Sequence, residues 1–585
     1  METIQTDVAI IGAGGAGLRA AIALAQEAPG LRIALISKVY PMRSHTCAAE
    51  GGAAGVIKPD DSFDHHFHDT VGGGDWLCDQ DAVEYFIHEA PKELMQLEHW
   101  GCPWNREADG SVAVRPFGGM KIQRTWFAAD KSGFHILHAL FQTSLQFPQI
   151  QRFDEYFATD LLVDEGRCQG LTAIEMRSGQ MRRFNAKAVI IAGGGAGRMF
   201  PFNTNGAVNT GDGMAMAYRA GAPLKDMEFV QYHPTGLPNT GTLLTEACRA
   251  EGGVLLNKDN YRFLQDYGMG PETPKGKPVL KTMELGPRDR VSQAIWGEMQ
   301  KGRSVKTDWG DCVWLDMRHI GEKKIDERLP FVRDICISYL GLDPVKEMIP
   351  IRPVMHYMMG GIHTDTKAAT SLPGLFAAGE CACVSINGAN RLGSNSLVEI
   401  LVFGHRAALS AASFAASVQP GNEAALTAHA EANQSRIREL FARNSGKESI
   451  SGLRKEMTDT MEEGAGIYRT QEGMDKSCKK LSELRRRYQD ITLHDKTNVY
   501  NTDLLSALEL GNMLDCAEAL MTSGRERKES RGAHQRIDYT ARDDVKYLKH
   551  SMAYFKGLDA PRIDYRDVVV TKSQPGVRDY SGAKK

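Results

Sequence analysis

The sequence lacks the closely spaced cysteine pairs that hold iron–sulfur clusters and haem. Its 585 residues include eleven cysteines, but none forms a CxxC pair or a CxxCH haem signature, and only Cys381 and Cys383 lie close together. Cysteine-ligated clusters and attached haem require such spacings. The sequence therefore predicts a reduced, cytosolic protein with no metal centre of its own.

Long apolar runs and a basic leader are also absent. No stretch reaches the roughly 20 apolar residues of a membrane-spanning helix, and METIQTDVAIIGAGG has no positive charge before its short apolar run. The formal net charge of -3 gives no indication of nucleic-acid binding. We expect no signal peptide, no transmembrane segment and no nucleic-acid partner.

Glycine is abundant, with 59 residues that cluster in loops. The first cluster, GAGGAG, follows the apolar run TDVAIIG, and Gly12, Gly14 and Gly17 give a GxGxxG spacing between a predicted strand and a predicted helix. A second predicted strand, RIALIS, completes a βαβ unit that is typical of dinucleotide binding. The usual ribose-binding acid is missing, because Ser37 and Lys38 stand about 20 residues after the last glycine.

Two further apolar runs end in glycines, AVIIAGGGAGR at 188–198 and GLFAAGECA near residue 374. Three such strand ends favour an extended dinucleotide such as FAD over a nicotinamide cofactor. The predicted fold class is α/β, with a large Rossmann-like FAD-binding domain, an inserted α+β capping domain, a helical domain and a small C-terminal domain. The expected boundaries are 1–239 with 352–420, 240–351, 421–540 and 541–585, and the tail SQPGVRDYSGAKK from Ser573 is predicted to be disordered.

Six motifs give the chain a recognisable pattern: SKVYPMRSHTCAAEGG, QYHPTGLP, TEACRAEGG, HYMMGGI, GANRLGSNSL and KESRGAHQR. Together they resemble the flavoprotein subunits of the fumarate reductase and succinate dehydrogenase family, in the family's order and from Thr6 to about Val569. The stretches HFHDTVGGGDWLC, KIQRTWFAADKSGFH and LQDYGMGPETP are more similar to the bacterial quinol:fumarate reductase branch. The resemblance implies reduction of fumarate to succinate in anaerobic respiration, with electrons from a quinol.

The resemblance also implies FAD as the cofactor, attached covalently to His45 of the RSHT motif. A neutral imidazole is a good nucleophile toward the 8α carbon of the flavin, and the attachment raises the flavin potential. Asp212 is the expected ribose partner in place of the acid missing at Ser37. The FAD-binding positions implied by resemblance are Gly12, Ala13, Gly14, Gly15, Ala16, Ser37, Lys38, Ser44, Thr46, Glu50, Gly51, Gly52, Tyr156, Phe157, Ala158, Asp212, Glu380, Arg391, Ser396 and Leu397.

Fumarate is a dianion, so a site that reduces it must bind two carboxylates and supply a hydride to one carbon and a proton to the other. Guanidinium and imidazole groups suit carboxylate binding, and the hydride comes from N5 of the reduced flavin. The dicarboxylate ligands implied by resemblance are His233, Thr245, Glu246, His356 and Arg391.

The proton donor implied by resemblance is Arg288, with Glu246 and Arg249 as its relay to solvent. Glu246 and Arg249 are three residues apart, so on a helical turn they share a face. An arginine is a poor acid, with a pKa above about 12. His233 therefore stays open as an alternative acid on its intrinsic pKa.

Electrons must reach the flavin from a partner, because this chain has no cluster or haem motif. The resemblance implies an iron–sulfur subunit, membrane anchor subunits that handle the quinol, and a flavinylation assembly factor. It implies a peripheral location on the cytoplasmic face of the bacterial inner membrane. The charged helical region and the KESRGAHQR segment are candidate docking surfaces.

Succinate dehydrogenase is the alternative within the family. Glu50 favours the reductase, since that branch tends to carry Glu here and a carboxylate near the flavin would lower its potential. L-aspartate oxidase is a more distant relative that lacks the flavin-linking histidine. A non-catalytic flavin-binding scaffold is the alternative from another class, but it would not need the dicarboxylate and proton-donor residues together.

Overall fold

The computed structural model describes residues 1–578 of the chain. Its strands are β1 (Glu2–Gln5), β2 (Val8–Ile11), β3 (Ile33–Ser37), β4 (Ala53–Ala54), β5 (Val114–Arg115), β6 (Thr125–Trp126), β7 (Ile150–Asp154), β8 (Tyr156–Asp164), β9 (Arg167–Glu175), β10 (Gln180–Asn185), β11 (Ala188–Ile191), β12 (Leu224–Lys225), β13 (Val230–Gly236), β14 (Val254–Leu256), β15 (Val305–Thr307), β16 (Gly310–Asp316), β17 (Ile349–Met358), β18 (Gly361–His363), β19 (Leu375–Ala377), β20 (Ala382–Cys383), β21 (Tyr468–Arg469), β22 (Gln535–Arg536), β23 (Lys549–Tyr554) and β24 (Arg562–Asp567).

Its α-helices are α1 (Gly15–Glu27), α2 (Phe63–Gly73), α3 (Gln80–His99), α4 (Ser132–Ser144), α5 (Asp212–Arg219), α6 (Ala247–Ala250), α7 (Arg288–Gln300), α8 (Glu322–Arg328), α9 (Pro330–Leu340), α10 (Asn395–Ser417), α11 (Glu423–Ala442), α12 (Ile450–Ala465), α13 (Gln471–Arg487) and α14 (Thr502–Glu526).

A parallel sheet in the order β19-β11-β2-β3-β7 forms the centre of the molecule. Strands β2, β3, β11 and β19 are buried along their whole length, as a parallel sheet covered by helices requires, whereas the edge strand β7 is only partly buried. The first βα turn carries the GxGxxG loop, and β2, β11 and β19 all end beside one another. The three glycine-terminated strands expected from the sequence are confirmed, and so is the α/β class.

Helices α1, α3, α4 and α10 share one apolar core on one side of this sheet. The other side packs against α5, α12, α13 and α14, together with a four-stranded sheet in the order β1-β10-β9-β8. The charged region after residue 421 is therefore helical, as expected, but its apolar face belongs to the central core rather than to a separate one.

The segment between β13 and β17 has a hydrophobic core of its own, built from helices α7 to α9 and the sheet β13-β17-β16-β14. We call this unit the cap. Strands β13 and β17 pair antiparallel. The chain enters the cap through β13 and leaves it through β17. Residues at the ends of these two strands therefore lie where the cap meets the rest of the molecule.

The C-terminal strands β23 and β24 extend a sheet that also contains β12, β18 and β20. The KESRGAHQR segment, a candidate docking surface, is mostly buried instead. Glu529 of the segment bonds Arg531 and also Arg527, which directly precedes the segment, each at 2.9 Å, and all three side chains are inaccessible to solvent. Its charges form an internal ion-pair network, so this candidate docking surface is wrong for most of the segment.

The expectation of a disordered tail from Ser573 is also wrong for the part that is described. Residues Ser573 to Arg578 make hydrogen bonds to other parts of the chain; residues 579–585 lie outside the described range. Among residues 1–578, one helix, α10, is long and apolar enough to span a membrane by length and composition. Of an apolar stretch of 18 residues within it, 56% is buried, and the helix packs against α1.

Candidate active site

A single elongated cavity of about 770 Å³ runs from the glycine loop to the cap. Of the sequence-predicted site residues, Arg249 lies behind the cavity wall and the others line it. The lining positions are Gly12, Ala13, Gly14, Gly15, Ala16, Ser37, Lys38, Ser44, His45, Thr46, Glu50, Gly51, Gly52, Tyr156, Phe157, Ala158, Asp212, His233, Thr245, Glu246, Arg288, His356, Glu380, Arg391, Ser396 and Leu397.

The glycine loop at one end of the cavity is shaped for a close ligand. Gly12 has φ +106°, and a Cβ there would lie 2.3 Å from the carbonyl oxygen of Ala192. Helix α1 begins at Gly15 with no side-chain cap and no acidic residue in its first turn. The Ser44 hydroxyl is buried without a partner within the described chain. The N–H of Gly15 donates to Thr46 Oγ1 at 3.1 Å. A helix N-terminus with no competing acid in its first turn fits a pyrophosphate.

An ion-pair cluster borders the cavity next to this loop. Lys38 Nζ donates to Asp212 Oδ2 at 2.7 Å and to Glu509 Oε1 at 2.9 Å. Although burial lowers the pKa of Lys38, these two carboxylates raise it overall. Asn512 Nδ2 donates to Asp212 Oδ1 at 2.9 Å. Glu509 and Asn512 lie on α14, and no local sequence signal pointed to either.

His45 lies in the cavity wall as a neutral imidazole. Burial lowers its pKa to about 4. The backbone N–H of Gly206 donates to Nδ1 of His45 at 3.3 Å, which leaves the proton of the neutral ring on Nε2. The residues around it, Ser44 and Thr46, are small. A neutral imidazole in the cavity wall has the charge state that nucleophilic attachment to a flavin requires; attack by Nε2 also requires that its proton first moves away.

Glu50 is buried between the RSHT segment and the cap. Its Oε2 accepts from the backbone N–H of Thr245 at 3.1 Å. Burial, with the nearby Asp130 carboxyl, raises the pKa of Glu50 well above its ordinary value. The sequence interpretation treated Glu50 as a negative charge, whereas its environment here favours the neutral acid.

At the cap end of the cavity, Arg288 begins helix α7. Its Nε donates to Glu246 Oε2 at 2.7 Å and its Nη1 donates to Gln231 Oε1 at 3.1 Å. Burial alone would raise the pKa of Glu246, but Arg288 and Arg249 lower it overall, so the carboxylate is charged. Gln231 is a further site residue that the sequence reasoning missed, although it begins the QYHPTGLP motif.

Arg391 supplies a second buried cation to the same end. Its Nη2 donates to Gln231 Oε1 at 3.2 Å and its guanidinium lies 4.1 Å from the ring centroid of Tyr357. Burial and the nearby Arg288 lower its pKa to about 10, which still leaves it protonated. It has no ion pair within 4 Å in the described part of the chain. A buried cation without a counter-ion favours an anionic ligand.

His233 and His356 face each other with ring centroids 5.0 Å apart. Burial, followed by the positive charge of Arg288, lowers the pKa of each well below its ordinary value. Nδ1 of His233 lies 3.2 Å from the N–H of Thr235 and 3.3 Å from its carbonyl oxygen, so these contacts are compatible with the proton of the neutral ring on either nitrogen. These histidines are hydrogen-bond donors, and the imidazolium that an acid catalyst needs is disfavoured at His233.

Arg249 contacts Glu246 from the side away from the cavity, with 3.7 Å between Nη2 and Oε2. The two residues lie on one helical turn, as their spacing predicted. The Arg249 side chain has no solvent-exposed surface, and burial lowers its pKa. The groups of the expected relay therefore lie next to one another, but Arg249 Nη2 has no hydrogen-bond partner among the described residues and Arg249 does not reach the solvent.

Two families match the chain. The FAD binding domain matches residues 7–397, and the fumarate reductase flavoprotein C-terminal domain matches residues 454–580.

Known relatives match over nearly full length. The fumarate reductase flavoprotein subunit of Haemophilus influenzae is 60% identical over 99% of this chain and 97% of its own. The succinate dehydrogenase flavoprotein subunit of Rickettsia bellii is 42% identical over 99% and 98%.

Solved structures agree. A quinol fumarate reductase variant from E. coli superimposes with a TM-score of 0.98 and 58% identity over the whole of both chains. A quinol-fumarate reductase with menaquinol molecules gives 0.96 and 59% identity over 98% of this chain and all of that one.

Proposed function

This chain belongs to the family of FAD-binding fumarate reductase flavoprotein subunits, and from that premise we propose that it catalyses the reduction of fumarate to succinate. The arrangement that carries the proposal is the pair of buried guanidinium groups at the cap end of the cavity. Arg391 is an uncompensated cation, and Arg288 is paired with a carboxylate that connects to a second arginine. Together they provide an anion-binding group and a proton-handling group in one space.

The proposed role of each residue follows from its charge state. Arg391 binds one carboxylate of the substrate, and neutral His233 contributes a hydrogen bond to a carboxylate oxygen. His356 and Thr245 complete the contacts from β17 and the cap. Binding between fixed donors in a closed space orients the alkene without a cost of reorganisation.

Arg288 is proposed to donate the proton. An arginine can do this only when it regains a proton as it loses one; the ionised Glu246, whose Oε2 lies 2.7 Å from Arg288 Nε, is proposed to accept a proton from the relay side and pass it to Arg288. Arg249, 3.7 Å from Glu246, is the next ionisable group of the proposed relay. The low pKa of His233 supports Arg288 over the histidine as the acid.

The glycine loop, the N-terminus of α1 and the unpartnered Ser44 hydroxyl fit FAD, with its pyrophosphate at the helix and its ribose near Asp212. Bound FAD supplies the hydride from the reduced ring. We propose that His45 holds it covalently, because the residue is neutral, lines the cavity and lies among small neighbours. The remaining implied positions listed for the cavity wall are proposed as cofactor contacts.

The partners proposed are an iron–sulfur subunit that delivers electrons, membrane anchor subunits that handle the quinol, and a flavinylation assembly factor. The family membership supports the first two, and the need for covalent attachment supports the third. The proposed location is the cytoplasmic face of the bacterial inner membrane, with the chain bound peripherally. We also propose the domain boundaries given above, in which the cap is the inserted domain.

Succinate oxidation by the same residues is the second candidate, since a catalyst of the forward reaction also catalyses its reverse. The lower identity to the dehydrogenase flavoprotein, 42% against 60%, favours the reductase as the working direction.

The activity is tested by fumarate-dependent oxidation of a reduced viologen with the purified chain. We expect activity in the wild type and its loss in Arg288→Ala, while retained activity in the variant would exclude Arg288 as the proton donor. Covalent flavin is tested separately by ultraviolet fluorescence of the denatured chain on a gel. We expect a fluorescent band that His45→Ser abolishes; a wild-type chain that was produced with flavin and shows no band would refute the covalent link.

A further inference from the structure

The last described residues, 569–578, form an extended segment that we call the C-terminal strap. It begins at β24 and lies against the start of helix α3. Gln80, which is fully buried, anchors it: its Oε1 accepts from the backbone N–H groups of Thr571, Lys572 and Ser573, each at 3.0 Å. Three backbone donors on one buried side-chain oxygen fix the path of this segment.

The strap then crosses the loop between α2 and α3. Trp76 Nε1 donates to Ser573 Oγ at 3.0 Å, and Arg542 Nη2 donates to the carbonyl oxygen of Gly576 at 2.8 Å. Arg542 also bonds Asp75 Oδ1 at 2.7 Å. Both side-chain and backbone groups therefore guide the strap toward the cap.

The strap ends on the cap at Asp289. Arg578 donates from Nη1 to Asp289 Oδ2 at 2.7 Å and from Nη2 to Asp289 Oδ1 at 3.2 Å. The same guanidinium contacts the carbonyl oxygen of Gly73 at 3.4 Å, on the FAD-binding part of the molecule. The Asp289 side chain is 2% exposed and that of Arg578 is 11% exposed. This is a bidentate and nearly desolvated ion pair between the C-terminal strap and the cap.

Asp289 follows Arg288 directly, and both lie in the first turn of α7. An acidic residue at this position interacts favourably with the helix N-terminus, but it is also the nearest carboxylate in sequence to the Arg288 guanidinium. With Arg578 in place, Asp289 is neutralised from outside the cavity, and Arg288 is left to Glu246 and Gln231.

We propose that Arg578 is a positioning residue for the reaction: its ion pair neutralises Asp289 in the first turn of α7 and so keeps Arg288 directed at Glu246. This rests on the proposed function, because Arg288 must be the proton donor for its placement to matter. Losing Arg578 leaves a buried carboxylate without a partner, which is costly. The carboxylate then competes with Glu246 for Arg288.

The test compares Arg578→Gln with the wild type in viologen-coupled fumarate reduction, with rates expressed per covalently bound flavin. We expect kcat to fall about tenfold or more, within the range that a positioned acid contributes. KM for fumarate should change by less than about threefold, because Arg391 and His356 lie on other elements and bind by charge and hydrogen bonds. Arg578→Lys should recover most of the loss, since it restores the charge.

A double variant, Arg578→Gln with Asp289→Asn, separates positioning from simple loss of a contact. It lacks the ion pair but also lacks the buried unpaired charge, so we expect kcat closer to the wild type than in Arg578→Gln alone. If the single variant does not fold, kcat of the double variant still tests the proposal. The matched control is Lys572→Gln, which removes a half-exposed strap cation paired with Asp64 and Glu84 and should leave kcat unchanged.

Arg578→Gln with a wild-type kcat per flavin, or a double variant that folds yet is as slow as the single one, would overturn the proposal. A wild-type chain that holds flavin but reduces no fumarate would instead refute the proposed function. The two failures are distinguishable because the first is measured only against an active wild type.

Discussion

The guanidinium groups of Arg288 and Arg391 are joined through one acceptor atom. Both donate to Oε1 of Gln231, at 3.1 and 3.2 Å, and the amide nitrogen of Gln231 donates in turn to the carbonyl oxygen of Arg391 at 2.8 Å. Two buried cations that share an acceptor are held at a fixed separation despite their repulsion. In the proposed reaction that separation sets the distance between the anion-binding group and the proton donor.

Replacing Gln231 with methionine keeps the side-chain length and removes the shared acceptor. A hydrogen bond to a charged group contributes about 1.5–3 kcal/mol, so we expect kcat/KM for fumarate to fall about 10- to 100-fold. Gln231→Glu is the informative partner variant, since it restores the acceptor with added negative charge and should weaken binding of the dianion. Steady-state kinetics with a viologen donor measure both, and an unchanged kcat/KM in Gln231→Met would show that the bridge has no part in catalysis.

Gly12→Ala should abolish FAD binding. A Cβ at this position would lie 2.3 Å from the Ala192 carbonyl oxygen, on a backbone with φ +106°. We expect the fluorescent flavin band on a denaturing gel to fall below a tenth of the wild-type intensity. Gly30→Ala is the control, because a Cβ there meets nothing within 4 Å and should leave the band unchanged. A normal band in Gly12→Ala would contradict the assignment of this loop.

Lys38→Met should weaken FAD binding, because it removes the cation that pairs with Asp212 and Glu509. Without Lys38 the Asp212 carboxylate faces the cavity without this counter-charge, Glu509 also loses its partner, and the cofactor is itself an anion. In a His45→Ser background, where binding is reversible, we expect Kd to rise about 10- to 100-fold by flavin fluorescence titration. Lys476→Met, at an exposed pair with Glu463, is the control and should not change Kd. An unchanged Kd for Lys38→Met would exclude this role.

His550 should make the stability of the chain depend on pH. It lies fully buried between Asp226, at 2.6 Å from Nδ1, and Asp79, at 3.0 Å from Nε2. Burial lowers its pKa, but the two carboxylates raise it above its ordinary value overall. A raised pKa means that the stabilisation is fully present below about pH 6.5, the unfolded value, and is lost as the pH rises through the folded value.

His550→Gln should therefore cost about 3 kcal/mol at pH 6 and clearly less at pH 9. Urea unfolding of both proteins at the two pH values measures the difference. His494→Gln, at an exposed position, should show no such pH dependence. A penalty that is equal at both pH values would contradict a charged His550 in the folded protein.

Much of the candidate site could be predicted because it is encoded in short contiguous motifs. The strand, the GxGxxG loop and the helix follow one another directly, so apolar periodicity and glycine spacing were enough to place them. The roles of the RSHT histidine, Glu246 and Arg249 came from the family resemblance, which short contiguous motifs also carry. Two interpretations failed for the opposite reason. The KESRGAHQR segment and the tail from Ser573 have the composition of exposed chain, but their polar groups bond distant residues such as Asp75 and Gln80.

By itself, the sequence determined the α/β class, the dinucleotide loop and the chemical types at the site, because these depend on neighbouring residues and on the period of their side chains. Only the tertiary structure decided which groups meet and which are charged. Glu509 reaches Lys38 across 471 residues of chain and Arg578 reaches Asp289 across 289. Burial makes His45 and His233 neutral while Glu246 stays ionised. Protonation depends on solvent exclusion and on charges brought close by folding, and neither quantity exists in the unfolded chain.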